Sequence, residues 1–287
     1  MLPATFWLTP RGSWASELRL VNVLMIGDIV GPDAVDYLAE RLPGLRRGRD
    51  VDLVIANAEN CAVSGPLPWS GFGMTVGLVE RLLAGGVDVI TSGNHGWDGP
   101  EADAVHAHPR VLRPLNLPDD VPGKGTVTLE VGAKAVTVVN LGSRTAAMPK
   151  ALPLYQAFTE ADPEGTVLVD LHGDSAWEKM EFATAVDGRV AAVLGTHTHE
   201  PTLNLHVLPG GTGFVADVGM TGPTGFPGGF PLTHFAAEMK GEDKGALPPF
   251  ELAAGPTTLG AVLLLIEDGK TSHIERVSWP GGGRGRR

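Results

Sequence analysis

Short apolar runs recur along this chain, and each run stops at a glycine or a polar residue. The clearest are residues 21–26 (VNVLMI), 53–57 (LVIAN), 87–92 (VDVITS), 166–171 (TVLVDL) and 190–194 (VAAVL). Each of these runs predicts a strand, and the short, β-branched, apolar run 190–194 predicts a fully buried one. Residues 34–45 and 74–84 have the apolar spacing of helices. Strands that alternate with helices predict an α/β fold built on parallel or mixed sheets.

The remaining segments extend the same pattern. They predict helices at 100–108 and 177–187, a hairpin of 126–131 with 135–140, a strand at 213–218 and a closing hairpin of 259–267 with 271–279. Residues 222–256 are rich in Gly and Pro with little periodicity, which predicts a long ordered loop with a helical turn that is able to act as a lid. We predict one domain at 21–280, an N-terminal extension at 1–20 and a flexible tail at 281–287.

Net charge and cysteine content argue against several classes of protein. The formal net charge of −11 disfavours a stable nucleic-acid complex, although bound cations would still allow a small anionic substrate. Cys61 is the single cysteine, so no intramolecular disulfide forms, which fits a reducing cytoplasm. No apolar stretch approaches the roughly 18 residues of a membrane span, and residues 1–20 do not resemble a signal peptide. We therefore expect a cytoplasmic protein without membrane association.

Polar side chains that are able to bind metals follow five of the predicted strands. They are Asp28, Glu59 with Asn60, Asn94 with His95, His172, and His197 with His199. Ligand sites in open α/β sheets lie at the carboxyl ends of the strands, so we expect these residues along one edge of a sheet. If the backbone there stays extended, the two histidines of the His-Thr-His sequence point the same way, towards one centre or two neighbouring ones.

The donor types favour a catalytic metal centre over a structural one. Carboxylate, carboxamide and imidazole groups without thiolates suit Mn, Fe, Zn or Mg. Their number exceeds the roughly four ligands of a structural zinc site and fits two metals that share a carboxylate, as in phosphoryl chemistry. Each motif alone is explained by a turn, a helix cap or a buried imidazole. Their recurrence at five strand ends favours the metal centre.

The motifs, taken in order, resemble a known family. GDIVG, AEN, GNHGWD, DLHGD, GTHTHEPT and DVGMTGP are similar to the signature of the YmdB-like branch of the calcineurin-like metallophosphoesterases. The resemblance runs from about residue 21 to 279, and its specific part is GNHGWD followed by GTHTH. It implies a four-layer αββα sandwich of two mixed β-sheets flanked by helices. It also implies a dinuclear metal site and phosphodiesterase activity, including activity on 2′,3′-cyclic nucleotides.

The resemblance also implies roles for individual residues. It assigns to the first metal the ligands Asp28, Asn60 and His199, and to the second metal the ligands Asn94, His172 and His197. Glu59 would bridge both metals. A hydroxide bridging the metals would attack phosphorus, and His95 would act as the general acid for the leaving alkoxide. Fe or Mn are the expected ions, with Zn or Mg as alternatives, and the substrate is a small phosphodiester.

This sequence departs from the wider superfamily at several positions. Val30 replaces the histidine of the usual Asp-x-His in the first motif, and Asn60 would supply the missing ligand. Asp174 stands where glutamate is common and is predicted to support a metal ligand. Glu200 stands where an apolar residue is frequent, so it either influences substrate choice or faces water. Thr198, between the two histidines, is a further candidate for the surroundings of the substrate.

Several other residues have simpler explanations. His106 and His108 fall in a predicted helix, where residues two apart lie on different faces and do not share a metal. Cys61 has no histidine partner in sequence and is expected to be a small buried residue. Trp97 is expected to pack against the loop before it. His234 lies in the Gly- and Pro-rich segment and would reach the substrate only as part of a lid.

Two other functions remain open from the sequence. A phosphomonoesterase acting on small phosphates or phosphoproteins fits the same metals, but the sequence shows no evident arginine pair to clamp a dianionic monoester. A metal-dependent signalling or binding protein without turnover would use the same ligands but would not need His95. The resemblance also allows a homo-oligomer, either a dimer or a tetramer.

Overall fold

The structure, a computed structural model, describes residues 20–64, 72–224, 227–243, 245, 247 and 250–277. In chain order the strands of this part are β1 (Val21–Ile26), β2 (Leu53–Asn57), β3 (Val89–Thr91), β4 (Thr126–Val131), β5 (Lys134–Gly142), β6 (Thr166–His172), β7 (Ala192–Thr196), β8 (His206–Val207), β9 (Gly213–Val215), β10 (Gly222–Pro223), β11 (Thr257–Thr258), β12 (Ala261–Glu267) and β13 (Lys270–Arg276). The α-helices are α1 (Pro32–Gly48), α2 (Val76–Ala84), α3 (Ala102–His106), α4 (Leu154–Ala161), α5 (Ala176–Ala185) and α6 (Thr233–Lys240).

Eleven of the thirteen described strands form two large mixed sheets, and β10 and β11 pair with each other. The first has the order β13-β12-β1-β2-β3, in which β1, β2 and β3 are parallel and β12 is antiparallel to both of its neighbours. The second has the order β4-β5-β6-β7-β9-β8, with a parallel centre and an antiparallel strand at each edge. The parallel strands leave their carboxyl ends, and the loops that follow them, at one side of each sheet.

Three hydrophobic cores separate four layers. They lie between the first sheet and α1 and α2, between the two sheets, and between the second sheet and α4 and α5. Representative residues are Leu24, Leu38 and Leu82 in the first core, Met25, Ile55 and Leu168 in the second, and Phe158, Val169 and Phe182 in the third. Leu24 and Met25 are neighbours in β1 and enter opposite cores, as the alternation of a strand requires. The predicted four-layer αββα sandwich of two mixed sheets is confirmed.

Residues at the N-termini of three helices define where the preceding loops end. The Thr75 hydroxyl accepts a hydrogen bond from the Leu78 N–H at the start of α2, and the Ser175 hydroxyl accepts one from the Glu178 N–H at the start of α5. Helix α1 begins at Pro32, directly after Gly31 at φ 86°. The loops from β1 to α1 and from β6 to α5 are short, whereas the connection from β2 to α2 is longer and carries Glu59 and Asn60 directly after the strand.

Most predicted elements are present with shifted ends, and both predicted hairpins form. Helix α4 and the two-residue strands β8, β10 and β11 were not predicted, because each is too short to establish a period in the sequence. The segment 222–256 contains α6, a helix of eight residues, where a loop with a single helical turn was expected. The predicted extension, apart from Leu20, and the predicted tail lie outside the described residues. Among the helices that are described, none is long and apolar enough to cross a membrane.

Candidate metal centre

The two sheets bring the predicted strand-end residues together in one cleft. Asp28, Glu59 and Asn94 follow strands of the first sheet, whereas His172 ends β6 and His197 follows β7 in the second. The prediction of a single sheet edge is therefore wrong, because the cleft lies between the edges of two sheets. The order of strands along a sequence does not tell which sheet each strand joins, so this pairing of edges depends on the packing of the sheets.

Three acceptor atoms surround one ring nitrogen of His172. Its Nε2 lies 3.0 Å from Glu59 Oε1, 3.0 Å from Asn94 Oδ1 and 3.0 Å from His197 Nδ1. A ring nitrogen carries at most one proton and is unable to donate to all three. Ligand atoms at right angles on a cation with bonds of about 2.1 Å lie about 3.0 Å apart, which is the spacing seen here. We call these four residues the His172 cluster, and their donor atoms fit a divalent metal ion.

A second group of donors lies beside the first. Asn60 Nδ2 is 3.2 Å from His199 Nε2, and Asp28 Oδ1 is 3.7 Å from the same ring nitrogen. We call Asp28, Asn60 and His199 the His199 cluster. Asp28 Oδ1 also lies 3.9 Å from His172 Nδ1, so the two clusters are adjacent. The structure thus brings together all seven residues that were predicted as metal ligands.

Each carboxylate of the centre is anchored through one oxygen and leaves the other without a partner. Glu59 Oε2 accepts the backbone N–H of His95 at 3.0 Å, and Asp28 Oδ2 accepts that of His197 at 3.0 Å. Glu59 Oε1, Asp28 Oδ1 and Asn60 Oδ1 are buried and have no hydrogen-bond donor, although Glu59 Oε1 lies close to His172. Buried oxygens without a donor are costly, and a bound cation would satisfy all three.

Partners behind the three histidines fix which ring nitrogen faces the cleft. His172 Nδ1 donates to Thr196 Oγ1 at 3.0 Å, His197 Nε2 lies 2.9 Å from Asp174 Oδ1, and His199 Nδ1 donates to the Gly228 carbonyl at 3.0 Å. In each neutral ring the second nitrogen therefore presents its lone pair to the clusters, whereas a protonated His172 would present an N–H there. Metal-binding histidines are held in this way, because the outer hydrogen bond sets the tautomer.

The His-Thr-His loop is bent rather than extended. His197 has φ 99° and His199 has φ 64°, a region that residues with a Cβ rarely adopt. The condition under which the two histidines would point the same way, an extended backbone, is therefore not met. The loop is held by Asp217, whose Oδ2 accepts the N–H of Thr198 at 3.0 Å and its hydroxyl at 2.8 Å. The bend sends the two imidazoles to different clusters, and such strain persists where the surroundings enforce it, often at functional sites.

Burial and mutual charge set the pKa values of the His172 cluster. Burial alone would raise the pKa of Glu59, but the nearby histidines, His172 first, lower it to about 2. Burial alone would lower the pKa of His172, but the nearby carboxylates, Glu59 first, raise it to about 9. Burial and the charge of His172 lower the pKa of His197 to about 4. The carboxylates thus draw positive charge into the centre, either as a proton on His172 or as a metal ion.

His95 is fixed beside the clusters rather than within them. Its Nδ1 lies 2.6 Å from Asp98 Oδ2, and its ring stacks on Phe72 with the ring centroids 4.1 Å apart. Because Asp98 occupies Nδ1, Nε2 is the ring nitrogen that remains for a substrate. The sequence reasoning missed both partners. The i, i+3 spacing within GNHGWD could have revealed Asp98, whereas nothing in the sequence points to Phe72.

The other predicted residues occupy different surroundings. Asp174 contacts His197, Thr198 faces Asp217, and Glu200 is exposed. Cys61 is buried, and burial raises the pKa of its thiol to about 12, which agrees with the expected packing role.

The predicted packing residues near the cleft also have defined neighbours. His106 is buried in α3 and stacks on Trp97 with the centroids 4.4 Å apart. Trp97 therefore packs against α3, on the loop that carries His95. His234, in α6, makes an edge contact with Phe250 at 5.5 Å.

Two packed mixed sheets with this set of donors define a protein of the metallophosphoesterase type, which implies the use of a divalent metal. The family model described as YmdB-like protein matches residues 24–277. The chain therefore belongs to the YmdB-like family, and the resemblance seen in its motifs is confirmed.

Curated relatives cover most of the chain. A 2′,3′-cyclic-nucleotide 2′-phosphodiesterase of Bacillus subtilis is 35% identical over 265 residues, which is 90% of this chain and 96% of the relative. A putative phosphatase/phosphodiesterase of Mycoplasma genitalium is 32% identical over 213 residues, which is 71% of this chain and 73% of the relative.

Solved structures show the same fold. A hypothetical protein of Thermus thermophilus superposes with a TM-score of 0.80 at 35% identity, covering 90% of this chain and 99% of the other. A novel phosphatase of Mycoplasma pneumoniae also gives a TM-score of 0.80, at 27% identity, covering 90% of this chain and 93% of the other.

Gly93→Ala is predicted to disturb the metal centre. A Cβ at Gly93 would lie 2.1 Å from the ring of His172, so that ring would have to move. Displacing a ligand should weaken metal binding by about 10- to 100-fold. The matched control is Gly77→Ala, because a Cβ there meets nothing within 4 Å. Metal content and circular dichroism of both variants test the prediction, and equal metal content in the two would contradict it.

Metal binding is predicted to release about one proton per chain near pH 7.5. His172, with its pKa at about 9, is protonated there, whereas His197, with its pKa at about 4, is already neutral. A metal at His172 Nε2 displaces that proton, so apparent affinity should fall about tenfold per pH unit below about pH 9. Calorimetric titration with Mn²⁺ in two buffers of different ionisation enthalpy counts the protons. A count of zero would exclude protonated His172 as a ligand.

Proposed function

We propose that this protein is a dinuclear-metal phosphodiesterase that hydrolyses small phosphodiesters, with 2′,3′-cyclic nucleotides as the preferred class. Two adjacent donor clusters, beside a histidine that Asp98 fixes, carry the proposal. One buried oxygen of the His172 cluster and two of the His199 cluster lack a hydrogen-bond donor. The activity named for the Bacillus subtilis relative supports the substrate class. It also agrees with the family to which the chain belongs.

The two clusters are proposed as the two metal sites. The His199 cluster would hold one ion and Asn94, His172 and His197 the other, with Glu59 shared between them. Oxygen and imidazole ligands without thiolates suit Fe or Mn, and Zn or Mg remain alternatives. Divalent cations there would lower the pKa of water and neutralise the phosphate oxygens.

His95 is proposed as the general acid. Hydrolysis adds the oxygen of water to phosphorus and breaks the bond to the leaving alkoxide, which then needs a proton. With Asp98 on Nδ1, His95 would give that proton from Nε2. Its backbone N–H also donates to Glu59, so the acid is fixed relative to a proposed metal ligand. Asp174 would support the reaction indirectly by orienting His197.

The cavity beside His95 favours a diester over a monoester. Among the described residues that line it, none is an arginine or a lysine, so only the proposed metals and His95 would face the charge of a phosphate. A diester carries one negative charge and a monoester dianion two, and the second charge would have no arginine or lysine partner there. A binding protein without turnover would not need His95 and Asp98 in this arrangement.

Chelation followed by addition of Mn²⁺ or Fe²⁺ tests the proposed function. We expect chelated protein to lose activity on 2′,3′-cyclic AMP and the added metal to restore it, with much slower turnover of a simple phosphomonoester. Faster turnover of the monoester would favour a phosphomonoesterase. No turnover with two metals bound per chain would leave the site as a metal-dependent binding site and reject the diesterase.

His95→Ala is predicted to slow turnover of 2′,3′-cyclic AMP by about 10²- to 10⁴-fold, because the alkoxide then leaves without a positioned acid. The variant should keep its metals, whereas Asp28→Ala should lose metal and activity together. His273→Ala is the matched control, because that side chain is 57% exposed and lies outside the cleft. Metal analysis beside steady-state kinetics separates the cases. Loss of metal from His95→Ala would make His95 a ligand and contradict its role as an acid.

A further inference from the structure

A cavity of about 200 Å³ opens at the metal centre, and its two halves differ in chemistry. One half consists of proposed metal ligands together with His95. The other half is apolar and is formed by Phe72, Phe230, Leu232, Phe235 and Phe250. We call this half the aromatic wall. A ligand that fits both halves combines an anionic group with a flat apolar group.

The aromatic wall is continuous with His95. Phe72 stacks on His95, and it meets Phe230 edge to face with the centroids 5.6 Å apart. Phe230 stacks on Phe250 at 5.1 Å, and Phe235 of α6 meets Phe250 edge to face at 5.7 Å. An unbroken path of rings therefore leads from the proposed acid to the helix α6.

The outer members of the wall keep apolar area exposed. Phe72 and Phe230 are each 7% exposed and serve as the support, whereas Phe235 is 37% and Leu232 44% exposed. Exposed apolar area beside a group of charged ligands is typical of a binding site that a ligand completes. Met239 of the same helix is 91% exposed but does not line the cavity.

The position of His95 sets the direction in which a substrate lies. The general acid stands on the leaving-group side of the phosphate, because it protonates the leaving oxygen. The aromatic wall begins on that side, at Phe72. In a 2′,3′-cyclic nucleotide the leaving oxygen belongs to the ribose, and the base is attached to the same ribose. With the phosphate at the proposed metals, the base would extend over the wall.

We propose that the aromatic wall is a nucleobase subsite that selects nucleoside cyclic phosphates over cyclic phosphates without a base; this inference rests on the proposed phosphodiesterase function. Stacking on phenyl rings accepts every base because every base has a π-face. The subsite therefore favours nucleotides as a class and does not depend on base identity.

The test compares two substrates in the metal-loaded protein, 2′,3′-cyclic AMP and the base-free glycerol 1,2-cyclic phosphate. Phe235→Ala should raise KM for 2′,3′-cyclic AMP about tenfold, which corresponds to about 1.4 kcal/mol of lost stacking, and leave kcat nearly unchanged. KM for the base-free substrate should not change. Phe235→Trp should keep the affinity for the nucleotide, and Met239→Ala, on the same helix, should alter neither substrate.

The outcomes separate the subsite from the function it serves. If Phe235→Ala leaves KM for the nucleotide unchanged, or raises KM for both substrates equally, the base does not bind the wall and the subsite is rejected while the phosphodiesterase stands. If the unaltered protein hydrolyses neither substrate with metals bound, the proposed function fails and the subsite fails with it. Failure of Phe235→Trp to keep the affinity would also count against stacking.

Discussion

Asp170 joins the two sheets beneath the metal centre, and the site above depends on that junction. It lies buried on β6 of the second sheet, where its carboxylate accepts hydrogen bonds from Thr91 and Asn57 of the first sheet and from Thr196 of β7. Burial raises its pKa to about 6, and donation by Thr91 and Thr196, with the charge of His172, limits the rise. A buried carboxylate is tolerated only when it is paired in this way. The hydrogen bonds of Asp170 therefore fix the position of one sheet relative to the other at the cleft.

The same junction orients a proposed metal ligand. The Thr196 hydroxyl donates to Asp170 and accepts a hydrogen bond from His172 Nδ1. Asp170, below the cleft, therefore sets the tautomer of His172 through Thr196. Thr196 also ends β7, and its carbonyl accepts a hydrogen bond from Lys179, which is buried beside Asp217. Asp217 in turn holds the His-Thr-His loop in its bent form. Hydrogen bonds beneath the cleft therefore hold His172 and the His-Thr-His loop in place. A mobile loop alone would not keep these side chains in one arrangement.

The cleft combines two kinds of recognition around His95. On one side of His95 lie the donor atoms of the two clusters, which favour bound cations. On the other side the aromatic wall begins. The first kind suits a phosphate and the second a flat apolar group. A histidine lies between them with one nitrogen occupied by Asp98, and in the proposed mechanism it would stand where the two parts of a phosphodiester meet. The geometry thus relates the proposed chemistry to the proposed choice of substrate.

The sequence alone determined the long strands, the polar residues at their ends and, through GNHGWD and GTHTH, the family. These are local properties, because burial shows in apolar runs and a motif is contiguous. Only the tertiary structure decided that two sheets share the cleft and that His197 and His199 diverge. It also decided that Phe72 and Phe235 line the cavity beside His95 and that Asp170 lies beneath it. Such contacts join segments far apart in the chain, and no local pattern specifies them. The sequence therefore identified the proposed metal ligands and the proposed acid. The packing of distant segments determined which residues surround and orient them.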